Sequence, residues 1–429
     1  MKRPMIGFAG MTHLGLVSGI CAAEKGFQVL CFDTDATRID PLKRTILPIS
    51  EPQLLELAAR NADRLTFSSS REDLAGCDVI YVAPDVPTDQ FGESDLAPLG
   101  TLLELVQQSA KLDAVIVVLS QVPPGYTRGK MALGRILYYQ VETLVFGRAV
   151  ERALLPERYI VGCEDPSQPL PQAYKQFLEA HGCPILLMRY ESAELAKISI
   201  NMCLVASVST ANTLAELSER IGADWSEIVP ALKLDRRIGQ HSYLAPGLGI
   251  AGGNLERDLA TVITLAELHG TDVGVVRSWI ANSQHRRNWA ASTIRAILID
   301  QHPHATVAVW GLAYKENTHS IKNSPSLATI ALLPDVKLQL HDPQVASTVV
   351  SHGDAIGASD ALSALTGADA LLILTPWAEY RSIAPALIAQ HMRGKIVLDP
   401  YAVVDPEAAV LAGLDLHTLG RPPIFSSGQ

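Results

Sequence analysis

What the 429-residue chain lacks narrows its class first. Its six cysteines (Cys21, Cys31, Cys77, Cys163, Cys183 and Cys203) are scattered with no CxxC pair, which argues against a disulfide scaffold and a zinc knuckle, so no metal is expected. An excess of basic charge is absent: 35 Lys and Arg face 45 Asp and Glu, for a net charge of −10, which argues against a nucleic-acid surface. The opening MKRPMIGFAG has too short an apolar run, and no cleavage site, for a signal peptide. The longest apolar runs fall short of a membrane span. A cytoplasmic protein with neither a membrane nor a nucleic-acid partner is therefore expected. Low-complexity linkers are missing too, although the chain is longer than the ~250–300 residues one core usually holds, so two or three domains are expected. The last absence is local. GLGIAGGNLERD, Gly247 to Asp258, has glycines that let backbone wrap a ligand, then an amide and charges, but it contains no Cys, Ser or His.

What is present is a strand–helix alternation at both ends. MIGFA, a glycine turn, LGLVSGICAAEKG and FQVLCFDTD read as strand, turn, helix, strand, the opening of a parallel α/β domain. CDVIYVAP, DAVIVVLS, RYIVGCE and PILLMR are further strands, with helices near 52–61 and 99–111. From Glu191 the pattern changes. About thirty residues run without Pro or internal Gly, with Leu195, Ile198, Met202, Val205 and Val208 at helical spacing. Helices over 226–234, 256–269 and 273–301 follow. ATVAVWGLAYKENT, VKLQLHDP, DALLILTP and GKIVLDP then resume the strand–turn pattern, and GRPPIFSSGQ reads as a loose tail. The expected fold is α/β: two Rossmann-like parallel-sheet domains (1–190 and 303–429) joined by a helical middle domain (191–302) with a long central helix.

In GFAGMTHLG, Gly10 and Gly15 have the spacing of the first and third glycines of a dinucleotide fingerprint. Asp33, ending the second strand, can accept hydrogen bonds from a ribose diol and favours NAD over NADP. Thr12 replaces the middle glycine, crowding the backbone approach to a pyrophosphate while offering it a hydroxyl. The alternative is a tight strand–helix turn that binds nothing.

Several segments, in order, resemble the UDP-glucose/GDP-mannose dehydrogenase family, the nucleotide-sugar dehydrogenases. THLGLVSGICAAEKGFQVLCFDTDATRI resembles its amino-terminal start, and ISEPQLLEL its P-x-x-E-P-x-L segment. VAPDVPTDQFGESDL and LSQVPPGYT resemble its V-x-T-P-T loop and the loop beside the nicotinamide. VETLVFGRAVERALLPERYIVG is similar to its N-P-E-F-L-R-E-G segment, with Gln140 and Val141 for the Asn and Pro. ELAKISINMCLVASVSTANTLAEL resembles the central helix carrying a Lys and an Asn four residues on, LDRRIG a middle-domain segment, and WGLAYKENTHSIKNSPS the G-x-x-F-K-x-x-T-x-D-x-R-x-S-P motif. The resemblance implies an NAD-binding domain, a helical domain that forms a homodimer, and a carboxy-terminal domain for the nucleotide diphosphate. It also implies oxidation of the sugar C6 alcohol in two NAD-dependent steps, through an aldehyde and a cysteine thioester. By the same resemblance Gly10, Thr12, His13, Leu14, Gly15, Asp33, Arg38, Pro87, Thr88 and Gln121 form the cofactor set, although His13, like His241 and His319, reads alone as a structural or solvent residue. Arg237 (placed to reach across a dimer), Gly249, Gly252, Gly253, Lys315 and Lys322 form the substrate set.

Against the family's G-x-G-x-G-G-S-C-x-P-K-D, the nucleophilic Cys falls on Asn254, Pro on Glu256 and Lys on Arg257, while Asp258 is kept. Ser320 and Lys322 replace the Asp and Arg of the last motif, and Lys keeps the charge without the bidentate fork. Lys197 and Asn201, at i and i+4, take from the resemblance the task of stabilising the oxyanion, Asp258 that of orienting a water or taking a proton, and Glu142 that of a general base. Alone, the first two would read as solvent residues on a helix and Glu142 as a loop acid. A neutral amide cannot form the thioester, and Cys203 matches no catalytic position. Three outcomes stay open: a single hydride step from alcohol to carbonyl, a cysteine-independent oxidation to the acid through the hydrated aldehyde, and an inactive nucleotide-sugar-binding or regulatory protein. The basic stretch QHRRNWAASTIR reads as a dimer or phosphate contact rather than a nucleic-acid surface.

Overall fold

The computed structural model describes residues 3–89, 92–251 and 253–426. The chain divides into two compact units, Met1–Ile200 and Asn201–Gln429. The first is built on an eight-stranded sheet: β1 (Met5–Ala9), β2 (Gln28–Phe32), β3 (Leu65–Ser68), β4 (Val79–Val82), β5 (Val115–Val118), β6 (Ile136–Gln140), β7 (Tyr159–Cys163) and β8 (Ile185–Arg189). Its spatial order is β3-β2-β1-β4-β5-β6-β7-β8. All neighbours are parallel except β6 and β7, where Tyr139 opposes Gly162. VIYV in β4 and VIVV in β5 are buried throughout, as strands covered on both faces must be, and β-branched residues suit them. The first helix, α1 (His13–Glu24), is buried along most of its length, from Leu14 to Ala23.

The second unit carries a six-stranded parallel sheet: β9 (Thr306–Trp310), β10 (Lys337–His341), β11 (Ala355–Gly357), β12 (Ala370–Ile373), β13 (Ile396–Leu398) and β14 (Asp415–His417), in the order β11-β10-β9-β12-β13-β14. Four of the fourteen strands among the described residues (β3, β6, β11 and β14) went unread in the sequence. Of these, β3 and β11 are edge strands only partly buried, so their hydrophobic signal is weak.

The long helix α2 (Tyr190–Ile221) runs from the end of the first unit into the second. Contrary to expectation, this helix is long and apolar enough to cross a membrane by length and composition, with a mean hydropathy of 1.3 over its best window. It buries Glu194, Asn201, Asn212 and Ser218 together with Ala193, Val205, Ala211 and Ala215, the pattern of a core helix. Helices α3 (Trp225–Leu234), α4 (Asn254–His269), α5 (Gly274–Arg287) and α6 (Trp289–Ile294) follow. The single helix expected over 273–301 is therefore corrected: it breaks at Asn288 and ends in a π-helical turn, Arg295–Ile299. Ala290, Ala291, Ile294 and Leu298 join the core of the second sheet. The loose tail is also corrected. Ile424 and Leu416 exchange backbone hydrogen bonds at 2.8 and 2.9 Å, and Ser426 N–H donates to Asp415.

Candidate active site

In the first unit, the β1–α1 turn is shaped by close packing. Gly10 has φ +101°, and a Cβ there would lie 2.7 Å from Pro84 N; a Cβ on Gly15 would lie 2.0 Å from Gly10 O. Only glycine meets both demands. Asp33 follows β2 and is 5% exposed. Its Oδ2 accepts from Met11 N–H at 2.7 Å and its Oδ1 from Asp35 N–H at 3.0 Å, and Arg38 Nη1 stands 3.4 Å away. Of these groups Met11 and Arg38 border a cavity of about 570 Å³, lined also by Thr12, His13, Thr37 and Asp85, among others. A buried carboxylate at the strand end, a glycine cradle and a helix N-terminus beside a cavity fit the ribose and diphosphate of a dinucleotide.

One feature works against the diphosphate. His13 N–H, in the first turn of α1, donates to Asp85 Oδ2 at 3.0 Å, and Thr12 Oγ1 accepts from Asp85 N–H at 2.7 Å. A carboxylate thus lies on the helix end that an anionic ligand needs. The Thr12 hydroxyl still has its proton to donate, but its oxygen is engaged.

His13 Nε2 is 2.9 Å from Glu51 Oε1, and its ring lies 4.3 Å from that of Phe146. Glu51 also accepts from the N–H groups of Gly147 and Ala149, so His13 belongs to a loop-bracing network. The Leu14 side chain lies in the core. Pro87 is exposed and Thr88 bridges to Ser94; neither they nor Gln121 line the 570 Å³ cavity.

Glu142 follows β6, accepts from Leu144 N–H, and borders a small cavity of about 60 Å³ with Cys21, Arg152, Tyr159 and His181. Neighbouring Gln140 is buried and accepts from both Tyr81 and Tyr174 hydroxyls at 3.0 Å, a structural task. Lys197, on α2, is half-buried and has no ion-pair partner among the described residues. Sequence reasoning missed Glu194, three residues earlier. It is fully buried and accepts from Gly125 N–H at 2.6 Å and Thr127 N–H at 2.9 Å, pinning the LSQVPPGYT loop. Burial raises its pKa, while those N–H groups pull it back. A charged residue within ELAK, one helical turn before Lys197, was the available signal.

In the second unit, Asn201 and Asp258 come together. Asn201 Nδ2 donates to Asp258 Oδ2 at 2.5 Å, and Arg257 Nε stands 3.5 Å from Asp258 Oδ1. All three are buried, Asp258 to 1% exposure. Asn254 opens α4 and is exposed. Gly253 precedes it at φ +94°, with the Lys322 side chain against it: a Cβ would lie 3.0 Å from Lys322 Cε. At Gly249 a Cβ would lie 2.5 Å from Ser283 O. Gly252 lies outside the described residues. Glu256 accepts from Arg287 Nη2 at 3.2 Å and from Asn323 Nδ2, tying α4 to the 312–324 loop. Lys315 Nζ lies 5.6 Å from the Tyr314 ring centroid. The Arg237 side chain is 89% exposed and forks onto Asp235 at 3.0 and 2.6 Å. No group of three His, Cys, Asp or Glu that could hold a metal occurs among the described residues.

Three family profiles match the chain in sequence order. The NAD-binding domain of the UDP-glucose/GDP-mannose dehydrogenase family matches residues 4–178, its central domain 191–284 and its UDP-binding domain 308–406. The chain belongs to the UDP-glucose/GDP-mannose dehydrogenase family. It is an NAD-dependent oxidoreductase of that family's kind. Among its relatives is the UDP-glucose 6-dehydrogenase TuaD of Bacillus subtilis, 28% identical over 99% of this chain and 94% of that protein. A Pseudomonas aeruginosa UDP-glucose 6-dehydrogenase is 29% identical over 96% of each. A UDP-glucose dehydrogenase structure from Pyrobaculum islandicum superimposes with TM-score 0.81 at 25% identity, covering 93% of this chain and 94% of that one. The fold is shared with a UDP-D-ManNAc dehydrogenase from Pyrococcus horikoshii, with TM-score 0.83 at 23% identity, covering 97% of this chain and 99% of that one.

Proposed function

We infer that this family member oxidises an alcohol of a nucleotide sugar, of the UDP-sugar type, in a single hydride step and stops at the carbonyl. The observation that carries this reading is the buried pair of Asn201, on α2, with Asp258, early in α4, where the stretch from Gly247 to Asp258 holds no thiol. When bound, the nicotinamide supplies the hydride acceptor; the protein handles the proton and the charge. Asp258 is oriented by Asn201 and is suited to take the alcohol proton, directly or through a water. The Lys197 ammonium, one turn before Asn201 on α2, is suited to offset charge on the reacting oxygen. Lys315 and Lys322, on the loop after β9, supply positive charge for a diphosphate.

Oxidation beyond the carbonyl by the thioester route needs a thiolate. Burial pushes the thiols of Cys21, Cys31 and Cys77 up to about 12, which keeps them protonated and inert. The exposed Leu195, Leu214, Leu217 and Ile221 on α2 support a homodimer packed along that helix, and a cytoplasmic location completes the reading.

The decisive experiment supplies NAD and a panel of UDP-, GDP- and dTDP-sugars, counts NADH per product and weighs the product. One NADH and a product lighter by two hydrogens supports the reading. Two NADH with a carboxylate would establish cysteine-independent oxidation to the acid, with Glu142 or Asp258 deprotonating the hydrate. Tight binding without turnover would make the chain a nucleotide-sugar-binding protein. In the active case, Asn201→Ala is expected to lower kcat about a hundredfold.

A further inference from the structure

The basic stretch QHRRNWAASTIR, which the catalytic reading leaves unused, forms one wall of a second cavity. It measures about 460 Å³ and lies between the carboxy-terminal end of α2, the α5–α6 junction and the segment after β14. No residue expected to bind NAD or substrate lines it. Three arginines border it, Arg220, Arg286 and Arg421, against two glutamates, Glu216 and Glu219.

Both glutamates are already engaged. Glu216 pairs with His285 Nε2 at 2.8 Å and Arg286 Nη1 at 3.5 Å; Glu219 accepts from Arg286 Nη2 and Gly420 N–H at 2.8 and 3.0 Å. Arg220 and Arg421 have no ion-pair partner among the described residues. Arg286 is 1% exposed and Thr418 6% exposed, yet Arg286 Nε and Thr418 Oγ1 lack any hydrogen-bond partner among the described residues. Leaving such groups buried and unpaired is costly, so the site is short of an acceptor. Trp289, Ile297 and Pro423 add an apolar wall.

We propose that this cavity is a binding site for a phosphate-bearing small molecule, separate from the catalytic site. The phosphoryl group takes the Arg220 and Arg421 guanidinium groups, the buried Arg286 Nε–H and the Thr418 hydroxyl. A carboxylate has too few oxygens for this many donors, whereas a phosphate matches the guanidinium fork from more than one side. The rest of the ligand lies against Trp289 and Ile297. The volume is in the range of small-molecule sites.

Inorganic pyrophosphate is the probe, titrated calorimetrically into the full-length protein at low salt. Because pyrophosphate also suits a diphosphate subsite, two binding classes are expected. The Arg220→Ala/Arg421→Ala protein should lose one class, with affinity reduced about tenfold or more, and Lys315→Ala/Lys322→Ala should lose the other. Thr418→Val should weaken the first class about threefold, which loose attraction to surface arginines would not do. Arg220 is exposed and Arg421 half-buried, so both arginine variants should melt as the parent does. A single class removed by the lysine pair alone, or an arginine-pair isotherm identical to that of the parent, would overturn the proposal. Because the readout is binding, it stands or falls independently of how many NADH the enzyme makes.

Discussion

The two sheets open on the same turn and use it differently. Gly10 after β1 and Gly311 after β9 both have φ near +100°, and each donates its N–H at 2.8 Å to the end of the neighbouring strand, to Phe32 O and His341 O. An aspartate then caps each turn: Met11 N–H donates to Asp33, and Leu312 N–H and Ala313 N–H donate to Asp342. The acids diverge from there. Asp342 also accepts from Trp377 Nε1 and from the N–H groups of Gln344 and Val345, so both oxygens are consumed by its own chain. Among the described residues the Asp33 side chain takes Met11, Asp35 and the long contact to Arg38, and Met11 and Arg38 line a large cavity. One motif therefore spends both oxygens of its acid on its own chain in the second sheet and fewer of their acceptor positions in the first. A sequence pattern marks the turn, while the count of acceptors already used decides its role.

The largest effect should come from separating those roles. Asp342→Ala leaves five donors short of an acceptor and is expected to destabilise the second unit by about 3–5 kcal/mol, seen as a clear loss of melting temperature. Asp33→Ala should instead weaken NAD binding about tenfold or more, by fluorescence titration, with the smaller stability change. Equal melting losses without an NAD effect would erase the distinction.

Acid should also treat the two units oppositely. Burial lowers His181, in the first unit, from 6.5 to about 4. It binds a proton less readily folded than unfolded, so its contribution is complete above about pH 6.5 and is lost as pH falls toward 4. Burial raises Asp399, in the second unit, from 3.8 to about 6, with the Val404 and Tyr401 N–H groups opposing the rise. It binds a proton more readily folded, so its contribution is complete below about pH 3.8 and is lost as pH rises through 6. Each effect is at most of order 2–3 kcal/mol. Hydrogen exchange between pH 4 and 6.5 should show protection rising in the first unit, a rise removed by His181→Gln. It should show the reverse trend in the second, removed by Asp399→Asn.

The smallest change concerns the α1 terminus. Asp85→Asn removes the negative charge that now occupies the helix end, and NAD should bind about three- to tenfold more tightly, most visibly at low salt. Unchanged or weaker binding would mean that Asp85 turns away when the cofactor enters.

Much of this was legible in residue order. The β1 and β9 runs, the long helix and the Lys197–Asn201 spacing follow from periodicity, and the missing thiol from simple reading. Of the unread strands, β3, β11 and β14 (LTFS, AIG and DLH) hold at most two apolar residues each, too little pattern to stand out. Nor was the break at Asn288 legible, where helix packing against the second sheet overrides a continuous helical signal. Glu194 and Asp85 looked like ordinary charges until their backbone partners, 67 to 72 residues away, were in place.

The sequence by itself determined the first turn-and-acid motif and the absence of a thiol at the head of α4, because each is written in local spacing and residue type, and its ordered segments carried the resemblance to the family. Tertiary structure alone decided which carboxylates remain available and which are spent, and that the basic stretch QHRRNWAASTIR faces a cavity with unpaired donors. Those outcomes depend on hydrogen-bond partners and burial contributed by distant segments, and no local pattern encodes them.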